Sequence, residues 1–417
     1  MLGREHIITR NNALELIMSG LPERKIPSKV VDIDEALGRI CSEDIISGED
    51  LPSFARSTVD GYAVMAADTF SASDTMPAYL TLSGEVFMGQ PPAMMLAKGC
   101  AVKIPTGGML PEGADAVVMF EHVQIVDSAM LEIMKPVGPG GNVIQRAEDV
   151  RRGEIVLTKG HRMRPQDIGA CAGIGLTNIA VHEKPVVSII STGDEIIPAA
   201  NKPSSGQIRD INSYLLKGMI TNAGGTARKQ GIFRDDYNEI RRAVEESMES
   251  SDMVLLSGGT SVGTKDLIAG IISDIGNPGM LFHGVSLKPG KPLIGGIIRG
   301  IPVFGLPGHP AAVSICFELV ILPVLDRLAG HHEMLSSTGM AKPVVKAKLS
   351  KNIASTQGRE EHVRVKLEER EDGLWAIPVI SKSGLITTMV KTEGTIVIPL
   401  SLNGIEQGQM VDVRLFR

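Results

Sequence analysis

Four short segments combine residue types that could hold an oxyanion or a hard cation. Ser257-Gly258-Gly259-Thr260-Ser261-Val262-Gly263 places three glycines in seven residues directly after an apolar run at 253–256. Glycines let the backbone approach an oxyanion and turn N–H groups toward it, and the flanking hydroxyls add donors. The spacing fits neither the Walker loop nor the dinucleotide fingerprint, so a plain strand-to-helix turn explains it as well. Asp266 follows where a carboxylate could ligate Mg²⁺, although an acid near a helix start more often only complements the helix dipole. Thr192-Gly193-Asp194-Glu195 ends a second apolar run at 186–190, and its paired acids suit either a hydrated Mg²⁺ or a helix cap. Asp235 and Asp236 pose the same choice. Lys288-Pro289-Gly290-Lys291-Pro292 sets two cations on a stiffened loop, which suits a small oxyanion, with an ordinary surface loop as the alternative.

Other catalytic constellations are missing from the sequence. The nine histidines show no metal-ligand spacing, and the adjacent His331 and His332 read as solvated boundary residues. Cys41, Cys100, Cys171 and Cys316 stand at least 59 residues apart, without the Cys-x-x-Cys pairs of zinc or iron–sulfur sites. The 20 methionines read as core filler. No Gly-x-Ser-x-Gly nucleophile elbow occurs.

The segments that must position these residues alternate strand and helix. Runs at 186–190, 253–256 and 301–304 are short, continuous and apolar, and each ends in a glycine-bearing loop, the third being Leu306-Pro307-Gly308-His309-Pro310. Asp210 can cap a helix carrying Ile211, Leu215, Met219 and Ile220, stopped by Gly224. A second helix opens at Asp235 or Asp236, with Ile240, Val244 and Met248 on one face. This pattern predicts a mostly parallel α/β domain over 183–329, whose ligands bind beyond the carboxyl ends of the strands. Residues 49–149 carry short runs between Gly and Pro and read as a β-rich module. Segments 1–48 and 150–182 read together as an N-terminal or linker domain, and 330–417 as a small β-barrel or sandwich.

A chain of 417 residues divides into roughly two to four such units. Lys plus Arg number 42 against 48 Asp plus Glu, a net charge of −6, with no long basic run. That argues against nucleic acid or anionic lipid as the main partner. The apolar stretch 311–325 carries Glu318 and Pro323 and falls short of the roughly 18–20 residues a bilayer span needs, so it reads as a core helix. Scattered cysteines and a charged opening with Arg4, Glu5 and Arg10 fit a cytoplasmic protein.

Taken in order, these segments resemble one family, the molybdopterin molybdenumtransferases, or MoeA proteins, related to the gephyrin E domain. Ser57-Thr58-Val59-Asp60-Gly61-Tyr62-Ala63 resembles its Ser-x-x-Asp-Gly-Tyr-Ala signature. Ile104-Pro105-Thr106-Gly107-Gly108 and Gly138-Pro139-Gly140-Gly141-Asn142 leading to Glu148-Asp149 are similar to two further motifs. Ser191 to Glu195, Ser257-Gly258-Gly259 with Asp266, Lys288 to Pro292 and Leu306 to Pro310 complete the series.

The resemblance implies a molybdopterin-binding α/β fold and insertion of molybdate into adenylylated molybdopterin, with Mg²⁺-dependent release of AMP. It assigns functional roles to Asp60, Thr106, Asp149, Glu195, Asp235 or Asp236, and Asp266, with Glu195 and Asp266 as metal ligands. Ser257, Gly258, Gly259, Ser261, Lys288, Lys291, Arg359 and Ser383 would bind substrate, with Pro307 and Pro310 shaping the adjacent loop. It also implies a homodimer in which Asp60, Thr106 and Asp149 act across the subunit boundary, and a possible docking of the adenylylating enzyme. Departures are Ala55-Arg56, Ala147, His309 between the two prolines, and Gly284 in place of a second functional lysine. These departures leave tungstate insertion as an alternative, and a non-catalytic molybdopterin-binding scaffold is another.

Overall fold

Val, Ile and Leu runs between residues 186 and 306 build a six-stranded sheet in the order Thr226–Phe233, Val186–Thr192, Met253–Gly258, Ile301–Leu306, Ile294–Ile298, Pro278–His283. The computed structural model describes residues 7–23, 25–258, 262–331, 343–379 and 384–416, apart from the side chains of 262–266. The first four strands of this order run parallel and the last two antiparallel. Strand alternation sends Val187, Ile189 and Leu255 to one face and Ile190, Val254 and Leu256 to the other, and both faces are buried. Full burial of each such side chain contributes roughly 1.5–3 kcal/mol.

Helix Asn212–Asn222 covers one face through Leu216 and Ile220, while Tyr237–Met248 covers the other through Ile240, Val244 and Met248. Ile211 lies outside the first helix and is 38% exposed, so the apolar stripe begins one turn later than the sequence pattern indicates. The apolar stretch after Pro310 forms a buried helix that widens over Phe317–Ile321 before resuming as Leu322–Leu328. Pro323 lacks the N–H that a regular turn would bond at this point, which accounts for the wider spacing. Strand Thr226–Phe233 escapes hydrophobic patterning because it is a polar, largely exposed edge. Among the described residues no helix is long and apolar enough to cross a membrane.

The β-rich module orders its strands Ala116–Met119, Gly61–Val64, Cys100–Ile104, Ala78–Glu85, Met130–Ile133, Val123–Ile125. Segments 25–48 and 150–182 interleave: Ser28–Asp32 pairs with Asn178–His182, and Ile45–Ile46 with Ile155–Leu157, around Val31, Cys41, Met163 and Cys171. The first helix, Arg10–Gly20, goes elsewhere. Its Ala13 and Ile17 bury against the α/β sheet with Leu293 and Ile297, because that sheet face needs one more apolar cover. His331 is likewise not free in solvent, since its Nδ1 lies 2.9 Å from the Gly160 carbonyl.

In the C-terminal region, Val344–Leu349, Met410–Leu415, Gly394–Ile398, Glu360–Arg370 and Gly373–Pro378 pair around a full circle. The result is a closed five-stranded β-barrel with Val365, Ala376, Ile396 and Val413 inside. Leu287–Lys288 of the central domain adds to it as a parallel strand beside Glu360 and Glu361.

Candidate active site

Strand Val186–Thr192 lies between the second and third strands of the central domain, so the chain leaves it in opposite directions and a crevice opens at its carboxyl end. The loops after all four parallel strands gather at that edge. Thr192 lies opposite Gly258, and a Cβ on Gly258 would sit 1.7 Å from Thr192 Oγ1 and 2.3 Å from its carbonyl oxygen. Glycine is therefore required here by close strand approach. The Thr192 hydroxyl is fully buried without a hydrogen-bond partner, an unused donor and acceptor beside Gly258.

After Thr192 no helix begins, which removes the capping explanation for Asp194 and Glu195. The chain turns at Gly193, whose φ of +140° suits glycine, and enters a short ribbon of Ile196–Ile197 with Ile208–Arg209. The half-buried Glu195 side chain folds back over the turn, its Oε2 within 2.7 Å of where a Gly193 Cβ would stand. Asp194 is exposed, and its Oδ1 lies 3.4 Å from the Asp235 N–H. Asp236 has a structural role. Its side chain accepts the Glu239 N–H at 2.9 Å and caps helix Tyr237–Met248. Of the two aspartates, the half-buried Asp235 is the one beside the Asp194 turn.

Beside these acids a cavity of about 650 Å³ opens, lined in part by Gly193, Asp194, Tyr214, Lys229, Gln230 and Arg234. Lys229 Nζ sits 3.4 Å from the Tyr214 ring centre, a cation–π contact that holds the ammonium at the wall.

Two polar knots tie the loops together, one through Asp210, which also accepts the Ser213 N–H at 3.1 Å as a capping residue would, and one through Asn212, which the sequence reading missed. Asp210 accepts from Ser191 Oγ at 3.0 Å and Ser213 Oγ at 2.6 Å, linking strand end to helix start. Asn212 Nδ2 donates to Ser257 Oγ at 2.9 Å and to the Gly308 carbonyl at 2.8 Å, joining the third and fourth loops. Its Oδ1 is buried without a partner. An amide side chain two positions after Asp210, at the start of the helix, was the available signal. Pro307 and Pro310 are buried, and Pro310 opens helix Pro310–Cys316 with His309 exposed at its cap.

Asp60 and Thr106 meet in the β-rich module. Gly61 is paired with Ile104 on adjacent antiparallel strands, which brings Asp60 alongside the Pro105-Thr106 turn. Asp60 Oδ1 accepts the Thr106 N–H at 2.7 Å and its hydroxyl at 3.0 Å. These donors, the backbone N–H first, hold the Asp60 carboxyl below the usual carboxylate range. Both residues are exposed, as is Asp149, whose N–H donates to the Leu51 carbonyl at 3.1 Å. The sequence-predicted polar residues thus form two groups, Asp60, Thr106 and Asp149 on the module, and Glu195 and Asp235 at the sheet edge.

The cationic loop carries an ion pair that sequence spacing does not reveal. Lys288 Nζ pairs with Glu361 Oε1 of the barrel at 2.9 Å, while Lys291, on the same loop as Lys288, and Arg359, two residues before Glu361, are half-buried. Gly284 has φ +107°, and a Cβ there would meet Ile7 at 3.6 Å. The Ile8 N–H donates to the Gly284 carbonyl at 3.3 Å, so the N-terminal segment lies over the position. Gly259, Ser261, Ser383 and the Asp266 side chain lie outside the described residues. Asp266 itself falls within helix Val262–Ile275.

Three family models match successive parts of the chain. They are the MoeA N-terminal region (domain I and II) over residues 8–175, the "probable molybdopterin binding domain" over 188–327, and the MoeA C-terminal region (domain IV) over 346–416. A molybdopterin biosynthesis protein of Methanocaldococcus jannaschii is 37% identical over 399 residues, covering 93% of this chain and 92% of that one. The molybdopterin molybdenumtransferase of Bacillus subtilis is 31% identical, covering 93% and 89%. This chain belongs to the MoeA family.

Crystal structures of MoeA proteins from Pyrococcus horikoshii superpose with TM-scores of 0.81 at 31% identity and 0.76 at 37% identity. They cover 98% and 99% of this chain, and 100% and 99% of those chains. The MoeA fold thus extends over the whole length, β-rich module and closed C-terminal barrel included.

Proposed function

We propose that the protein is a molybdenum insertase of molybdenum cofactor biosynthesis, transferring molybdate into adenylylated molybdopterin with release of AMP. The observation that carries this reading is the sheet-edge crevice in a MoeA-family chain. At that edge stand the unpartnered Thr192 hydroxyl, the close approach of Gly258 to Thr192 and the Glu195 carboxylate, a polar set that supports a ligand carrying phosphate together with a cation. The adjoining cavity of about 650 Å³ falls within the roughly 300–1,000 Å³ of small-molecule sites and can take the pterin or the adenosine.

In this reading the loop beginning at Ser257 holds the pyrophosphate through backbone donors, with Ser257 oriented by Asn212. Lys288, Lys291 and Arg359 supply the positive field for the tetrahedral dianion. Asp235 and Glu195 position the substrate and the attacking water. Asp60, ionised at neutral pH and held by Thr106, faces a second subunit's sheet edge in a homodimer, and Asp149 acts there from the same module.

Mg²⁺ fits the donor set. Among the described residues no three His, Cys, Asp or Glu side chains converge as a complete cage, but Asp194 and Glu195 are hard oxygen donors, and Mg²⁺ commonly takes one or two carboxylates with substrate phosphates. Glu195, with Asp266, would hold the ion, which when bound would neutralise pyrophosphate charge as AMP departs.

The test follows AMP release from adenylylated molybdopterin with Mg²⁺ and molybdate, tungstate or neither. Oxyanion-dependent release is expected, and the two rates rank the metals. Tight nucleotide binding without release under any condition would replace the insertase with the scaffold.

A further inference from the structure

Lys288 Nζ lies 2.9 Å from Glu361 Oε1, and the second oxygen of Glu361 accepts from Ser355 Oγ at 2.5 Å. The pairing is built by the backbone, because Lys288 stands opposite Glu361 in a parallel strand pair that joins the central domain to the barrel. Alternation along the barrel strand sends Glu360 the other way, to His362 Nε2 at 2.8 Å and Arg10 Nε at 3.7 Å. Of the two glutamates, Glu361 is therefore the one directed at the cationic loop. Exposure divides the pair unequally: the Glu361 side chain is 12% exposed and the Lys288 side chain 45%. The carboxylate is covered and fixed by two partners, and the ammonium above it keeps an open side.

We propose that Glu361 is a positioning residue that acts through Lys288, and that its charge lowers the protein's affinity for tetrahedral oxyanions by more than the restraint on the lysine adds to it. Through the salt bridge it holds the flexible lysine in one place. Its negative charge also subtracts from the field that an arriving anion meets, so the site binds a dianion loosely enough to pass it on. The inference rests on the reading of Lys288 as an oxyanion-binding cation. Repulsion from one fixed charge scales with the charge of the anion. Neutralising Glu361 must then raise the affinity for a tetrahedral dianion by the square of the factor by which it raises that for a monoanion of similar shape. Loss of a merely structural strut has no reason to follow that rule.

The experiment is isothermal titration of the purified protein with molybdate, sulfate and perrhenate, the last a tetrahedral monoanion, at fixed pH and ionic strength. Glu361→Gln keeps the shape and an acceptor for Ser355. It is expected to tighten molybdate and sulfate about tenfold and perrhenate about threefold. In turnover, KM for molybdate should fall while kcat does not rise. Glu361→Met, neutral and of similar volume, provides the same comparison if the Gln variant does not fold. Unchanged or weakened molybdate binding in a folded neutral variant would overturn the proposal, as would equal changes for all three anions. Lys288→Ala separates the underlying reading: molybdate affinity unchanged by that substitution would remove Lys288 from the oxyanion site. Affinity lost in Lys288→Ala together with no charge-dependent gain in Glu361→Gln would refute the role of Glu361 alone.

Discussion

Asp60 is an exposed carboxylate whose two donors both come from Thr106. Since they favour the anion, the folded-state pKa is depressed, and the linked stability is present above the unfolded value and lost as pH falls through the folded one. Activity should therefore show no Asp60 limb between about pH 5 and 8. Thr106→Val removes the hydroxyl and leaves the N–H, so the Asp60 titration followed by NMR should move up toward the ordinary carboxylate range without reaching it. Asn212→Ala deprives Ser257 Oγ and the Gly308 carbonyl of a shared donor, and a loss of about 1–2 kcal/mol is expected, read as a roughly tenfold drop in kcat/KM for AMP release. A kcat/KM within twofold of the parent would reduce Asn212 to a loop tie without catalytic consequence. Gly284 carries its own lesson. Restoring a lysine there forces a side chain into φ +107° beneath Ile7, and Gly284→Lys should lower stability by about 1–2 kcal/mol in urea unfolding. Any change in metal preference in that variant has to be compared with Gly284→Ala.

At the scale of elements, two adjacent aspartates divide their work. Asp236 caps helix Tyr237–Met248, so Asp236→Ala should cost about 1 kcal/mol in unfolding and leave AMP release nearly intact. Asp235→Ala should do the reverse, with activity falling by at least tenfold at little cost in stability. Equal behaviour of the two variants would show that the cap does not separate them. Strand spacing sets another constraint. Gly258→Ala drives a Cβ into the Thr192 backbone, and a destabilisation of about 1–3 kcal/mol with loss of activity is expected from chemical denaturation and the AMP assay.

For the whole molecule, the two groups of acids pose the question of how many subunits make one site. Asp60 and Thr106 bond each other within the module, while Glu195 and Asp235 stand at the edge of the central sheet. If a second subunit joins them, mixing inactive Asp60→Ala and Asp266→Ala chains should restore up to about a quarter of the parental AMP release, as random pairing makes half the dimers mixed and each mixed dimer carries one intact site of two. No recovery despite demonstrated subunit exchange would place each site within one chain.

Much of this was legible in the residues because it depends on local periodicity. Continuous apolar runs marked the buried strands, glycine-rich loops marked their ends, and alternating segments after residue 343 marked the barrel strands to within a few positions. The ordered motifs identified the family. Sequence spacing could not tell whether Asp194 and Glu195, or Asp235 and Asp236, were caps, since an acid after a strand reads alike in either role. Only the path of the following backbone separated them. Nor could it reveal Asn212 between two loops, Glu361 beneath Lys288, or the N-terminal segment lying over Gly284. Those contacts join residues from 45 to 276 positions apart. They exist because the sheet order and barrel closure bring distant backbones together, and tertiary packing decides that where local pattern cannot.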